Sequence, residues 1–172
     1  VIIGGGLATF APDLVIKNKY VDLVCVGEGE NALIDICEKI DNKDKDFTKI
    51  TNCWVKVDGK VVAKNPISKP VDINKNPKID ITSFEENRLY RPMAGNVYKM
   101  VPIETIRGCP YTCKFCNSPD QMALYKGEGA NFYRKKRMDL VYEELKHFKD
   151  VHKVEYMYFW ADTFLGMNKS EF

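Results

Sequence analysis

Hydrophobic and polar positions come in alternating blocks along the first forty residues. Apolar runs at 1–3 and 21–26 are each followed by a glycine-rich loop and then by a stretch with helical patterning. The first stretch opens at Pro12, a residue suited to the first turn of a helix. On the second, the predicted buried face carries Leu33, Ile36, Cys37 and Ile40. This order of strands and helices is typical of a parallel sheet with helices on its faces.

The middle of the chain predicts a hairpin and then a linker. Two β-rich runs, at 53–57 and 60–62, are joined by Asp58-Gly59, a pair typical of tight hairpin turns. Five of the eight prolines lie between Pro66 and Pro102, which indicates a linker with little regular structure.

Regular patterning resumes near residue 101. A strand is predicted at 103–106 and another at 154–160, with a helix between them. The apolar positions predicted to face the core from this helix are Met138, Val141, Leu145 and Phe148, and Glu143, Glu144 and Lys146 are expected on its other faces. We therefore predict three segments, an α/β domain at 1–49, the hairpin and linker at 50–100, and a second α/β domain at 101–172.

Composition narrows the class of protein. With 45% hydrophobic and 29% charged residues, the 172-residue chain reads as globular. A net charge of +2 argues against a dedicated nucleic-acid binder, and no apolar run approaches the length needed to cross a bilayer. The chain begins with Val1 inside an apolar run and ends at 168–172 on a pattern that resembles the start of a helix. We therefore expect a piece of a longer protein.

Three cysteines are concentrated in one short segment. Cys109, Cys113 and Cys116 follow the spacing C-x3-C-x2-C. Thiolates select zinc or iron–sulfur clusters, and three of them leave one iron of a cubane open for chemistry. A zinc site is the alternative, but its fourth ligand would have to be His147 or His152, whose spacing of five does not put them on one helical face. Cys25 and Cys37 are expected to be small buried groups rather than disulfide partners.

This loop resembles the signature of the radical S-adenosylmethionine superfamily, with Phe115 as the aromatic residue before the last cysteine. Its flanks are similar to the cobalamin-dependent branch. The resemblance covers residues 101–172 and includes the segments Ile106–Tyr111, Tyr133–Arg137 and Tyr158–Phe164.

The resemblance implies a mechanism and roles for several residues. The three cysteines would hold a 4Fe–4S cluster whose open iron chelates S-adenosylmethionine, and an electron from the cluster would break a sulfur–carbon bond. Phe115 would lie near the adenine, and Asp162 near the methionyl end. A carboxylate that caps a helix is the other interpretation of Asp162. The basic run 134–137 is interpreted as a solvated face, with anchoring of a cofactor carboxylate as the alternative.

Two glycine-rich loops in the first domain are candidates for a second cofactor site. They follow strands and so lie at the carboxyl ends of a parallel sheet, where open α/β sheets bind ligands. The residues concerned are Gly4, Gly5, Gly6, Gly27, Glu28 and Gly29. Together with the hairpin, they resemble the second half of a cobalamin-binding domain. The implied fold is the C-terminal half of a Rossmann-like cobalamin-binding domain followed by the start of a radical-SAM partial (βα) barrel.

The predicted function is radical methylation, cyclisation or rearrangement of a small-molecule or peptide substrate by a cytoplasmic enzyme. An electron donor such as a flavodoxin or ferredoxin would serve it. One alternative is a methylthiotransferase acting on tRNA, which would need a second cluster at Cys25, Cys37 and Cys53. The other alternative is a non-catalytic metal-binding module.

Overall fold

The computed structural model describes residues 1–129 and 131–166, which form two compact units. The first unit comprises Val1–Val71 together with Ala123–Asn131, and the second comprises Asp72–Met122 together with the chain from Phe132 onward. The helix start predicted at 168–172 lies outside the described residues.

A four-stranded sheet organises the first unit. In spatial order its strands are β1 (Ile2–Ile3), β2 (Leu23–Cys25), β3 (Cys53–Val57) and β4 (Lys60–Lys64). β1 and β2 are parallel, whereas β3 pairs antiparallel with both of its neighbours. The predicted hairpin is therefore the outer part of this sheet. We had expected it to belong, with the linker, to a separate segment at 50–100.

Helices cover both faces of this first sheet. They are α1 (Gly6–Phe10), α2 (Pro12–Ile16) and α3 (Glu30–Asp41). Because side chains alternate along a strand, Leu23 and Cys25 pack with residues of α3, and Val24 packs with residues of α1 and α2. The predicted arrangement of a sheet between helices is confirmed for this unit.

The buried face of α3 differs from the predicted one. Ala32 and Ile36, one turn apart, face the sheet, while Leu33 and Ile40 are 52% and 59% exposed. Cys37 is exposed as well, so the expectation that it is a buried apolar group is wrong. Small Ala32 lets the helix approach the sheet, and this rotates the larger apolar side chains away from the core.

The second unit has its own four-stranded sheet around one long strand. Its strands are β5 (Tyr90–Met93), β6 (Asn96–Arg107), β7 (Arg134–Lys135) and β8 (Tyr156–Ala161). β8 pairs parallel with β6, and β5 and β7 pair antiparallel with it. The predicted linker is thus wrong over 90–101, because Ala94 and Gly95 both adopt positive φ and form a tight turn between β5 and β6.

Two helices, α4 (Ser118–Tyr125) and α5 (Met138–Asp150), follow β6 along the chain, and α4 was not predicted. Short 3₁₀ turns lie at Ile81–Ser83, Glu86–Leu89 and Lys126–Glu128. The core of the second unit consists of Ile81, Val101, Ile103, Val141, Phe148 and Val154. Among the described helices, none has the length and apolar character needed to cross a membrane.

The predicted faces of α5 are partly wrong. Val141 and Phe148 are buried as expected, but Met138 is 63% exposed. Glu144, expected on an outer face, is 1% exposed. It is buried because the ammonium group of Lys136 neutralises its carboxylate at 2.5 Å.

Candidate functional site

The cysteine loop begins where β6 ends, and its first residue is tightly constrained. Gly108 has φ +85°, and a Cβ there would lie 2.4 Å from the backbone oxygen of Phe132. Its N–H donates a 2.7 Å hydrogen bond to Oδ2 of Asp162, which directly follows β8. Because β6 and β8 run parallel, their carboxyl ends meet here. Glycine and a carboxylate from the neighbouring strand therefore fix the start of the loop.

The three thiols of the loop are accessible. Cys109 is half-buried, and Cys113 and Cys116 are exposed. The N–H of Cys116 donates to the carbonyl of Cys113 at 3.2 Å, and the N–H of Ser118, at the start of α4, donates to Sγ of Cys116 at 3.4 Å. This contact ties the sulfur of Cys116 to the first residue of α4.

The donor set fits a soft metal or an iron–sulfur cluster, because three accessible thiols share one eight-residue stretch. Within 1–129 and 131–166, no three metal-ligating side chains are yet gathered around one point. The loop therefore supplies the right ligands without holding them in a preformed cage. Phe115 is 95% exposed, so its place beside an adenine stays a prediction.

Asp162 has a structural partner that neither interpretation of the sequence anticipated. Its carboxylate receives the Gly108 N–H rather than an N–H at the start of a helix. It therefore connects the second strand of the βα pattern to the base of the cysteine loop. Its contact with a bound cofactor stays a prediction.

The basic run 134–137 is not the solvated face that we expected. Arg134 and Lys135 form the half-buried strand β7, and the side chain of Lys136 is 10% exposed beside buried Glu144. Arg137 alone matches the expectation, since it is exposed and pairs with Asp139 at 2.6 Å. Pairing of β7 with the end of β6 explains the difference.

A cavity of about 450 Å³ in the second unit is lined by charged and aromatic side chains. Arg107 donates to both carboxylate oxygens of Glu104, at 2.7 and 3.0 Å, and the Lys136–Glu144 pair also lines the cavity. Tyr158 and Trp160 add aromatic surface. The alternation of Glu104 with apolar neighbours on β6 was the available signal that its side chain faces away from the core.

The glycine loops of the first unit surround a hollow of about 360 Å³. Its lining residues are Ile2, Gly4, Gly5, Cys25, Gly27, Gly29, Glu30, Ala32 and Leu33. Four of the predicted residues thus come together at the ends of β1 and β2, whereas Gly6 and Glu28 are not part of the lining. Gly5 has φ +90°, and no neighbouring atom lies within 4 Å of the position of a Cβ there.

Gly27 and Glu28 have partners within the unit itself. Tyr125, which is 2% exposed, accepts the Glu28 N–H at 2.7 Å through its hydroxyl. A Cβ on Gly27, whose φ is +80°, would lie 2.5 Å from that hydroxyl. The Gly27 N–H donates to Oγ1 of Thr9. Glycine at 27 therefore makes room for Tyr125, a contact that sequence patterning could not reveal.

The three scattered cysteines lie in different surroundings. Cys25 and Cys53 face each other across β2 and β3, and both are buried. The hydrogen bond to Cys25 and burial raise the pKa of the Cys53 thiol. Cys37 is exposed on α3, and the described part of the chain contains no three-ligand group that includes these thiols. The alternative of a methylthiotransferase, which would need a second cluster at these thiols, stays a prediction.

Sequence comparison finds two relatives. No protein-family model matches the chain. An uncharacterized methyltransferase of Pyrococcus horikoshii is 28% identical over 165 residues, which are 95% of this chain and 33% of that protein. The anaerobic magnesium-protoporphyrin IX monomethyl ester cyclase of Rubrivivax gelatinosus is 33% identical over 124 residues, or 67% of this chain and 21% of that protein. The chain spans a third or less of the length of these relatives.

Solved structures extend the comparison to the fold. OxsB, a cobalamin-dependent S-adenosylmethionine radical enzyme, superposes with a TM-score of 0.63 at 18% identity, over 98% of this chain and 22% of OxsB. The radical S-adenosylmethionine methyltransferase TsrM from Kitasatospora setae gives a TM-score of 0.58 at 19% identity, over 95% of this chain and 31% of TsrM. The chain therefore shares its fold with a part of each of these two enzymes. The predicted resemblance and fold class are thereby confirmed.

The two candidate sites share a structural principle. Both the cysteine loop and the glycine hollow lie where parallel strands end, the first after β6 and β8 and the second after β1 and β2. Loops at this edge can carry ligands without disturbing the strand pairing behind them.

Proposed function

We propose that this chain is part of a radical-SAM enzyme in which Cys109, Cys113 and Cys116 hold a 4Fe–4S cluster. The observation that carries the proposal is the cysteine loop itself, whose base is fixed by Gly108 and Asp162 while its thiols stay accessible. When bound, such a cluster supplies the electron for cleavage of S-adenosylmethionine. Three thiolates leave one iron free for that ligand, which a four-cysteine site would not.

The residues of the loop have distinct proposed tasks. The Ser118 N–H at Sγ of Cys116 orients this sulfur at the start of α4. Asp162 holds the Gly108 N–H and so keeps the loop at the carboxyl end of β6. Phe115, which projects from the loop, would cover the adenine of the ligand.

We further propose that the glycine hollow of the first unit receives cobalamin. Gly4, Gly5 and Gly29 present backbone without side chains, which suits the close approach of a large ligand. The solved TsrM and OxsB structures contain cobalamin, which supports this proposal. Gly27 has a different role, because the absence of a Cβ at this position leaves room for Tyr125.

The proposed reaction is radical methylation, cyclisation or rearrangement of a small-molecule or peptide substrate. A methyltransferase and a cyclase among the relatives, and the tryptophan substrate in a TsrM structure, support this range. We place the enzyme in the cytoplasm with a flavodoxin or ferredoxin as electron donor.

The experiment is anaerobic cluster reconstitution of the intact protein, followed by an assay of S-adenosylmethionine consumption. Cys113→Ala should lose iron and consume none of the ligand. Cys37→Ala is the matched control, because Cys37 is also an exposed thiol but lies on α3. If Cys113→Ala keeps wild-type iron and consumption, the assignment of the cluster to this loop is wrong.

A further inference from the structure

Two histidines far from any predicted site converge at the end of α5. His147 lies in the last turn of the helix, and His152 follows two residues after its end. Their Nε2 atoms are 3.2 Å apart. The spacing of five argued against a shared helical face, but the helix stops at Asp150 and the chain turns back, so the two rings meet.

The turn that brings them together is well defined. The N–H of Val151 donates to the carbonyl of His147 at 2.9 Å, and the N–H of Val154 donates to that of Phe148 at 3.1 Å. Lys153 adopts a positive φ of 54°. These backbone contacts form a helix-terminating turn and determine where His152 sits.

The orientation of the rings suits a shared ion better than a straight hydrogen bond. Their centroids are 4.9 Å apart, and their planes meet at 78°. A straight N–H···N bond of 3.2 Å would hold the ring centres further apart, so the contact between the two nitrogens is bent. Two nitrogens bound to one tetrahedral ion at about 2.0–2.1 Å lie roughly 3.3–3.4 Å from each other, close to the observed spacing.

The surroundings favour a cation. Both imidazoles contact the ring of fully buried Phe148, at centroid distances of 5.8 and 5.9 Å, which limits their freedom. The carbonyl end of α5 gives this region a partial negative charge. The nearby carboxylate of Asp80 has its pKa lowered mainly by hydrogen bonds from Thr82 and to a small extent by His152. In the described chain, no third ligating side chain completes the pair, so water would fill the remaining positions.

We propose that His147 and His152 form a two-imidazole site for a divalent transition-metal ion, with zinc as its simplest occupant. Imidazole nitrogens prefer zinc, copper and nickel over magnesium and calcium. The site is independent of the cysteine loop and of the proposed enzymatic function. Protons compete with metal ions for imidazole nitrogens, so a lower pH should weaken binding.

The test is equilibrium dialysis of the untagged intact protein against zinc chloride at pH 7.5 and 5.5. Cys109, Cys113 and Cys116 are replaced by serine in every sample, so that thiolates cannot compete for the metal. His147→Gln and His152→Gln are compared with Lys149→Gln, a substitution on the same helical turn. Circular dichroism checks that each variant is folded.

We expect one zinc ion more in the parent and in Lys149→Gln than in the double histidine variant. Each single histidine variant should weaken this binding by about tenfold or more, since even loss of a group behind a ligand costs that much. The histidine-dependent ion should be absent at pH 5.5. Equal zinc content in the parent and the double variant would overturn the proposal and leave a hydrogen-bonded pair of imidazoles. His152→Gln lies outside the helix, so its result stands even if His147→Gln unfolds.

Discussion

The cysteine loop and the glycine hollow both lie at the ends of parallel strands, yet they differ in what holds them. At the cysteine loop, backbone and one carboxylate fix the base, and the reactive side chains point outward. At the glycine hollow, part of the glycine pattern serves an internal contact, because Gly27 accommodates Tyr125. A pattern of ligating side chains therefore indicates chemistry directly, whereas a pattern of glycines indicates only space that either a ligand or the protein itself can fill.

The largest effect on stability and on cluster content is expected at the base of the cysteine loop. Gly108→Ala places a Cβ 2.4 Å from backbone that cannot easily move, at a φ of +85°. The conformation alone costs about 1–2 kcal/mol, and the clash adds to that. We expect a lowered urea midpoint and loss of reconstituted iron.

Gly59→Ala is the control for that variant. Gly59 has φ +77° in the hairpin turn, but no atom lies within 4 Å of the added Cβ. Gly59→Ala should therefore lower the free energy of unfolding by the conformational cost alone, without a steric clash. An equal loss of stability in the two variants would show that the contact with Phe132 does not constrain the loop.

A smaller effect is expected at Gly27. Gly27→Ala brings a Cβ within 2.5 Å of the Tyr125 hydroxyl, which is the tip of a side chain and can be removed. Tyr125→Phe should therefore recover part of the loss in the double variant, although it costs about 1 kcal/mol alone through the unmade bond to the Glu28 N–H. Urea unfolding of the four proteins in this cycle measures the coupling. Additive losses would contradict the steric account of Gly27.

The smallest effect on stability, but a large one on ligand uptake, is expected at Gly4. Gly4 lines the hollow, lacks a positive φ, and has its nearest neighbour at 3.8 Å from an added Cβ. Gly4→Val should leave unfolding unchanged within about 0.5 kcal/mol and reduce cobalamin uptake. Gly127 lies in an open position outside the hollow, so Gly127→Val should reduce neither the free energy of unfolding nor cobalamin uptake. Wild-type cobalamin content in Gly4→Val would remove the hollow from the proposed site.

The sequence predicted elements where local patterning decides the structure. The helix α5, the strand β8 after it, and the first hairpin follow from periodicity and from Asp58-Gly59. Prediction from the sequence failed where the structure depends on a contact with a residue elsewhere in the chain. Glu144 is buried because Lys136 reaches it, and Gly27 is required because Tyr125, almost a hundred residues away, occupies the space.

Turns are the second kind of feature that the sequence did not predict. The β5–β6 hairpin went unrecognised because alanine at 94 rarely adopts the positive φ that it has here. The histidine pair was missed for a related reason, since helical spacing no longer applies once α5 ends at Asp150. Of the candidate sites, the cysteine loop was readable as a motif, whereas the place of Tyr125 depends on a tertiary contact.

The central claim is that three thiols hold a cluster with one iron open to S-adenosylmethionine. Electron paramagnetic resonance of the reduced, reconstituted intact protein tests it most directly, with and without the ligand. We predict a signal of a reduced 4Fe–4S cluster that changes when S-adenosylmethionine is added and that is absent in Cys109→Ala, Cys113→Ala and Cys116→Ala. A cluster signal that the ligand leaves unaltered, or one that survives in these variants, would contradict the account.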